Sequence, residues 1–356
     1  MSEYIPIKLP LPHDVESKAV LKKSISANRA LAELNGVAKI IPNRHILINS
    51  LALQEAKDSS EIENIITTHD ELYRADLDIK QITKETKEVQ NYKNALLKGY
   101  NFVKENKLLL KRHIVEIQKE LEQNDAGVRR QSGTNLKNAQ TGEVVFTPPQ
   151  QYEQIEELLS NLELYINEPN ELDSLINMAI IHYQFETIHP FYDGNGRTGR
   201  IINILYLILE DLLELPILYL SNYIIKNKND YYKLLQEVRT EDKWEEWILY
   251  MLDGVEKTSI ETISLINDIS VMMRETKYSI REKLPKIYSK DLIEILFSHP
   301  YTKIEFLVDG LGLHRETASK HLREIEKLGI LESVKIGRGK YFVNKQLFER
   351  LKEGIS

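Results

Sequence analysis

The chain has 356 residues, 42% of them hydrophobic and 28% charged, with no cysteine and a net charge of −7, a composition ordinary for a globular protein with room for two or three domains. No apolar run approaches the roughly 18 residues that a membrane span needs, and the start Met-Ser-Glu-Tyr-Ile-Pro has neither the basic region nor the apolar core of a signal peptide. The absence of cysteine excludes disulfides and thiolate metal sites, so the expectation is a cytoplasmic protein without a membrane partner, and the acidic balance argues against general affinity for nucleic acid.

At the N-terminus, Ile5-Pro-Ile-Lys-Leu-Pro-Leu-Pro12 predicts an extended arm within residues 1–20, because each residue before a proline is pushed out of the helical region. From Val20 to about Tyr73 the spacing of Leu21, Ile25, Leu31, Leu34, Ile46, Leu47, Leu51 and Ile62 predicts short helices broken at Gly36 and Pro42. Within this stretch Ser60 and Glu63 have the spacing of a capping box, which would start a helix. Helical patterns follow at about 82–124 and 151–166. Between them, Gly127–Pro149 with Val144-Val-Phe-Thr147 predicts a hairpin. Glu171–Thr187, Arg197–Leu213, Asn222–Val238 and Lys243–Leu265 predict further helices, and Leu284-Pro285 follows a helix ending near Arg281. Beyond it, Asp291–Ser298, Lys303–Gly310 and Arg315–Leu328 predict three short helices, and Ile330–Val334 and Lys340–Val343 predict strands around Gly337-Arg-Gly339.

The most informative segment is His189-Pro-Phe-Tyr-Asp-Gly-Asn-Gly-Arg-Thr-Gly-Arg200. Glycines let backbone N–H groups approach an anion, and a helix starting near Arg197 points its free N–H groups at the same place. Arg197 and Arg200 are one turn apart and can both make bidentate contacts with phosphate. Asp193 is a hard oxygen ligand of the kind Mg²⁺ takes beside substrate phosphates, and His189 is left to move a proton. The plain alternative is a glycine-rich turn with a solvated basic helix start.

This segment resembles the signature of Fic-domain proteins, His-Pro-Phe-x-Asp/Glu-Gly-Asn-Gly-Arg-x-x-Arg, at every fixed position. The resemblance implies transfer of AMP from ATP to a Ser, Thr or Tyr hydroxyl of a protein target or of the chain itself. In this scheme His189 is the general base and Asp193 the Mg²⁺ ligand. Gly194, Asn195, Gly196, Arg197, Thr198, Gly199 and Arg200 bind ATP, with Arg197 on the β- and Arg200 on the γ-phosphate. It further implies a mainly α fold with a small β-hairpin flap, Val144, Val145, Phe146 and Thr147, which lines up the target by strand pairing. Tyr231 and Tyr232 are candidates for an aromatic face against adenine, and paired helix tyrosines also serve as packing. Asn28-Arg-Ala-Leu-Ala-Glu-Leu34 is similar to the segment ahead of many Fic domains.

Ser59-Ser-Glu-Ile-Glu63-Asn64 is similar to the family's inhibitory-helix pattern, Ser/Thr-x-x-x-Glu-Gly/Asn. The resemblance implies that Glu63 pairs with Arg200 and keeps the γ-phosphate out, with Ser59 pinning the helix. The same carboxylate could orient water to remove AMP from a modified protein, and the two directions stay open.

The expected organisation is an N-terminal arm and helical segment with the inhibitory motif over 1–85, a Fic core over 86–255, a linking helix over 256–284 and a winged helix-turn-helix module over 285–356. The last carries 13 Lys+Arg against 10 Asp+Glu, or +3, leaving −10 elsewhere. Its candidate DNA contacts are His314, Arg315, Thr317, Lys320 and Arg338, and protein interaction or dimerisation, including a homodimer, stands as the other use of such a module. The alternative to the enzyme is a transcriptional regulator whose Fic domain senses nucleotide. A further variant keeps the transferase and changes the donor to another nucleotide or a choline phosphate ester.

Overall fold

A computed structural model describes residues 3–75, 77, 82–137, 142–336 and 339–353. Residues 138–141 and Gly337-Arg338, with the candidate contact Arg338, lie outside the described residues.

The fold is mainly helical, and its centre is a hairpin of two helices, α7 (Ser174–Ile188) and α8 (Asn195–Leu209) in the order used below. Every position of α7 from Leu175 to Ile188 is buried, the polar Asn177, His182, Gln184, Glu186 and Thr187 included, so the helix runs through the centre of the core. The two helices pack directly because Gly199 carries no side chain: a Cβ there would come within 2.7 Å of Glu186 and 3.2 Å of Phe185.

Around this hairpin stand α1 (Lys18–Val37), α2 (Arg44–Ile62), α3 (His69–Ala75), α4 (Lys84–Asn106), α5 (Lys111–Glu122) and α6 (Tyr152–Asn167), which precede it in the chain, and α9 (Leu220–Lys226), α10 (Lys228–Glu241) and α11 (Trp244–Lys283), which follow it, with α1 packed along α11 and α2 against α9. Ser17, Asn43, Thr83 and Asp173 cap the starts of α1, α2, α4 and α7 with their side-chain oxygens. The helical pattern expected over 82–124 is divided in two. Lys107 turns left-handed, and Asn167 grips the backbone of Leu109 from a distant helix, with Leu109 N donating to its Oδ1 and its Nδ2 donating to Leu109 O, both at 2.9 Å. A tertiary clamp therefore ends a helix that local periodicity would continue. Conversely, α11 runs unbroken for 40 residues, about 60 Å at 1.5 Å per residue, so core and linking helix are one rod.

The predicted hairpin is present as β1 (Leu136–Lys137) and β2 (Val144–Phe146), antiparallel with a register irregularity at Leu136/Lys137. The N-terminal arm lies over the surface beside it: Tyr4 N donates to Thr147 O at 2.9 Å, and Gln184 Nε2 donates to Ile7 O at 2.8 Å.

The C-terminal region contains α12 (Lys290–Ser298), β3 (Tyr301–Thr302), α13 (Ile304–Leu311), α14 (Arg315–Lys327), β4 (Glu332–Ile336), β5 (Gly339–Val343) and α15 (Lys345–Lys352). Its antiparallel sheet has the order β3-β5-β4; the short β3 lacked the length to be read from sequence. This region docks on α2, α3 and α11. Gln54 Nε2 donates to the buried Leu351 carbonyl at 2.7 Å, Arg350 Nε donates to Asp268 at 2.7 Å, and the Tyr73 ring meets those of His299 and Phe348. Among the described residues no helix is long and apolar enough to cross a membrane.

Candidate active site

The loop between α7 and α8 is held at both ends. Pro190 cannot continue the helix, and His189 closes α7 in the left-handed region (φ 49°), its N–H donating to Phe185 O at 3.0 Å. A non-glycine residue at positive φ is kept there by its surroundings, a pattern common at working sites. Asn195 staples the loop internally: Phe191 N donates to its Oδ1 at 2.8 Å and its Nδ2 donates to Phe191 O at 2.9 Å. Gly194, at φ 76°, caps α8 and turns the chain so that the first N–H groups of the helix face the cleft.

A third support escaped the sequence reading. Arg129, fully buried, donates from Nε to His189 O at 2.8 Å and from Nη2 to Pro149 O, while its main-chain N donates to Pro190 O at 2.9 Å. One guanidinium thus ties the His189 turn to the end of the hairpin strand. Its partners are main-chain carbonyls from distant segments, and no spacing rule announces them.

The loop opens on a cleft of about 820 Å³ whose walls include His189, Asp193 to Arg197, Glu63, Lys84, Glu88 and Glu122. Burial pushes the His189 imidazole down to about 4, with Arg129 adding to the effect. The ring is therefore neutral near pH 7 and able to accept a proton. Glu186, one turn earlier on α7, is pushed up to about 7 by burial against the pull of Arg200.

The inhibitory pattern and the loop meet. Arg200, 2% exposed, donates from Nε to Ser59 Oγ at 2.7 Å and from Nη2 to Ser59 O and to Glu63 Oε1, each at 2.9 Å. Burial would lower its pKa, yet Glu63 and the surrounding Tyr231, Tyr92 and Glu186 raise it overall. Gly196 makes the approach feasible, since a Cβ there would lie 2.4 Å from Glu63 Oε1. Ser60 and Glu63 stand at the end of α2, Glu63 being its C-cap. The capping-box alternative needs a helix start and does not describe them. Asn64 follows in the left-handed region and accepts from Lys228 at 3.3 Å. Behind the motif α2 is anchored by two buried acids: Ser221 N donates to Glu55 at 3.0 Å, and Tyr219 OH and Asn222 Nδ2 donate to Asp58 at 2.6 and 2.9 Å.

Arg197, 4% exposed, meets Glu122 of α5 instead, with Nη2 to Oε1 at 2.8 Å, and Glu88 lies 3.6 Å from Nη1. Neither glutamate was singled out from sequence. Each belongs to a charge-rich helix face that reads as ordinary solvated surface.

The remaining expected residues divide. Thr198 is fully buried, and Gly199 faces α7 and admits the close packing of the helix pair. Tyr231 is 1% exposed, its hydroxyl 2.8 Å from His182 Nε2 and its ring against Trp247, whereas Tyr232 is 45% exposed. Adjacent helix residues point about 100° apart, so the pair separates into a core ring and a surface ring, and only Tyr232 offers a face. In the hairpin, Phe146 is buried under the Arg239 guanidinium, 3.8 Å from the ring centroid, while Val145 is exposed.

Asp193 fits a Mg²⁺ ligand in chemistry and place. Its side chain is 77% exposed beside the cleft, and Oδ1 accepts from Gly194 N at 2.7 Å. Among the described residues no group of three or more His, Cys, Asp or Glu could hold a metal ion. One carboxylate suits an ion bound mainly through phosphate oxygens and water.

Comparison with known proteins gives three consecutive matches. Residues 21–101 match the Fic/DOC family N-terminal region, residues 107–207 the Fic/DOC family itself, and residues 272–347 the protein adenylyltransferase SoFic-like C-terminal domain. A probable protein adenylyltransferase of Aquifex aeolicus (strain VF5) is 33% identical over 92 residues, which is 26% of this chain and 26% of that protein. Among solved structures, a Fic family protein from Desulfovibrio desulfuricans G20 is 20% identical with a TM-score of 0.61, covering 94% of this chain and 98% of its own. A Fic domain containing signaling protein from Bacteroides thetaiotaomicron VPI-5482 is 18% identical, covers 67% of this chain and 95% of its own, and has a TM-score of 0.53. A fragment of Fic-1 from C. elegans is 21% identical, covers 68% and 71%, and also has a TM-score of 0.53. With the intact signature loop opening on the cleft, these matches along the chain establish that it belongs to the Fic/DOC family.

Proposed function

We propose that the chain is a protein adenylyltransferase that moves AMP from ATP to a hydroxyl side chain of a protein, itself included, and that Glu63 restrains it. The observation that carries the reading is the convergence of His189, the glycine-rich start of α8 and Arg197 on one cleft, with the buried Arg200 held behind Glu63 at its wall. His189 takes the proton of the target hydroxyl as its oxygen attacks the α-phosphorus, and pyrophosphate leaves. The N–H groups at Gly194 to Gly196 cradle the phosphates, Arg197 binds the β- and Arg200 the γ-phosphate, and positioning with charge stabilisation carries most of the catalysis. Mg²⁺ held at Asp193 would neutralise charge on the leaving pyrophosphate. Val144 to Thr147 pair with the target segment, and Tyr232 borders the base.

Restraint follows from competition for one guanidinium. While Arg200 donates to Ser59 and Glu63, it cannot also hold the γ-phosphate, and ATP binds poorly or turned away from the attacking hydroxyl. The same Glu63 supports a reverse activity in which it orients water against an AMP-modified protein. The test is mass spectrometry of a lysate incubated with the protein, ATP and Mg²⁺. A mass increase of AMP on hydroxyl residues, lost with His189→Ala, is expected; no modification even with Glu63→Gly would overturn the reading.

The regulator reading draws on the C-terminal region, whose helix-and-strand order suits a winged helix. On α14, Lys320 and Arg323 line a shallow groove with Arg315, which pairs with Glu305. Glu316 and Glu324 line the same groove, so phosphate neutralisation there is thin. A duplex shift at low salt that Lys320→Ala weakens would favour DNA as a partner, and its absence would favour a protein.

A further inference from the structure

We infer that Glu122 is a positioning residue for Arg197, setting the guanidinium under the phosphate loop so that it can take the diphosphate of the nucleotide; this rests on the reading of the cleft as an ATP site. Four observations carry it. Glu122 Oε1 accepts from Arg197 Nη2 at 2.8 Å, and both side chains are largely buried, at 13% and 4% exposure. Among the described residues the other guanidinium nitrogens, Nε and Nη1, meet no hydrogen-bond partner although both are buried. Glu122 also touches the loop itself: a Cβ on Gly194 would lie 2.4 Å from its Oε1, so the glycine is what admits the carboxylate. One turn earlier on the same helix, Gln118 Nε2 donates to Asp193 O at 3.3 Å.

A buried arginine with one nitrogen bonded and two unmet is oriented but not saturated. Anion oxygens arriving at Nε and Nη1 gain charge-assisted bonds while Glu122 stays in place. Glu88, 3.6 Å from Nη1, without a hydrogen bond to it and half-buried on the cleft wall, is the group that yields. Glu122 itself sits in the last turn of α5, packed between α4 and α8, and belongs to the scaffold. Its own carboxyl is pushed upward by burial against the pull of Arg197. Removing it would leave a buried cation free to swing away from the loop.

The experiment is calorimetric binding of AMP, ADP and ATP in the Glu63→Gly background, where Arg200 is released. Glu122→Ala is expected to weaken ADP and ATP binding by on the order of tenfold or more, the scale of one hydrogen bond to a charged group, and to leave AMP binding within about twofold. Glu122→Gln keeps an acceptor for Nη2 and is expected to restore most of the ADP affinity, whereas the shorter Glu122→Asp restores less. Unchanged or tighter ADP binding in Glu122→Ala would overturn the inference, the latter by making Glu122 a competitor. An equal loss for AMP would overturn it as well, since that signals general damage. Should Glu122→Ala fail to fold, the Gln and Asp variants decide: Asp at or above Gln leaves only a role for charge. Absence of ATP binding in the Glu63→Gly protein itself would instead sink the functional reading.

Discussion

Arg197 and Arg200 stand one turn apart on α8, and each hydrogen-bonds one glutamate across one glycine: Glu122 over Gly194 and Glu63 over Gly196. The two ends of the cleft differ in where the glutamate comes from. Glu122 is 13% exposed within the last turn of a packed helix, while Glu63 is 35% exposed at the end of α2. They differ also in what is left over. Arg200 has Nε and Nη2 both bonded to Ser59 and Glu63, whereas Arg197 has only Nη2 hydrogen-bonded. The same residue pair can therefore be a support at one end and an occupant at the other. Position in the scaffold and remaining donors decide which.

The comparison supposes one chemical centre between the two ends, so the largest effect belongs to His189. His189→Ala is expected to lower transfer by about 10²–10⁴-fold while leaving ATP affinity roughly unchanged, measured as self-modification rate beside nucleotide binding. Transfer at the parental rate would break the scheme at its middle. Next comes the closed end. Glu63→Gly is expected to raise self-adenylylation and productive ATP binding by roughly 10²-fold, the scale of a few kcal/mol in a two-state equilibrium, and Arg200→Ala added to it should cancel the gain. A loss of thermal stability with no gain in transfer would reduce the contact to a structural one.

Arg129 supports both ends through the loop. Arg129→Met strands the carbonyls of His189 and Pro149, at about 1–3 kcal/mol each, so thermal denaturation should shift downward and transfer should fall with it. A variant as stable and active as the parent would remove Arg129 from the argument. The smallest expected effect is a flat line. The imidazole is pushed down to about 4, chiefly by burial and then by Arg129, while Glu63 acts to raise it. Its neutral, proton-accepting form therefore persists as pH falls and is lost only near 4, and removing Glu63 moves that point lower still. Transfer by the Glu63→Gly protein should be level from pH 8 to 6 on account of His189. A limb near the ordinary histidine value would show that water reaches the ring during turnover.

Much of this was legible beforehand where the signal is local. The loop from His189 to Arg200 carries its chemistry in consecutive residues, and the helical periods of α1, α2, α6 and α7 fall close to their observed spans. The hairpin strand at Val144 and the three helices and two strands of the C-terminal region were likewise legible from turn residues and spacing. Less legible were elements decided by a remote partner. Asn167 ends α4 by gripping Leu109, Tyr231 goes inside because Trp247 and His182 are there, and Gly199 admits the close α7–α8 contact.

By itself the sequence determined the family and supplied the proposed roles of His189 and the phosphate loop, because glycine freedom, helix-start donors and arginine spacing act over a few neighbouring bonds. Tertiary structure alone decided which carboxylate each arginine hydrogen-bonds, that Ser60 and Glu63 close a helix and do not open one, that Arg129 ties the loop to the hairpin, and that the C-terminal region rests on α2 through Gln54 and Leu351. Those contacts join residues 137, 75, 60 and 297 positions apart. Their energies depend on burial and donor geometry at the meeting point, quantities that exist only once the chain has packed.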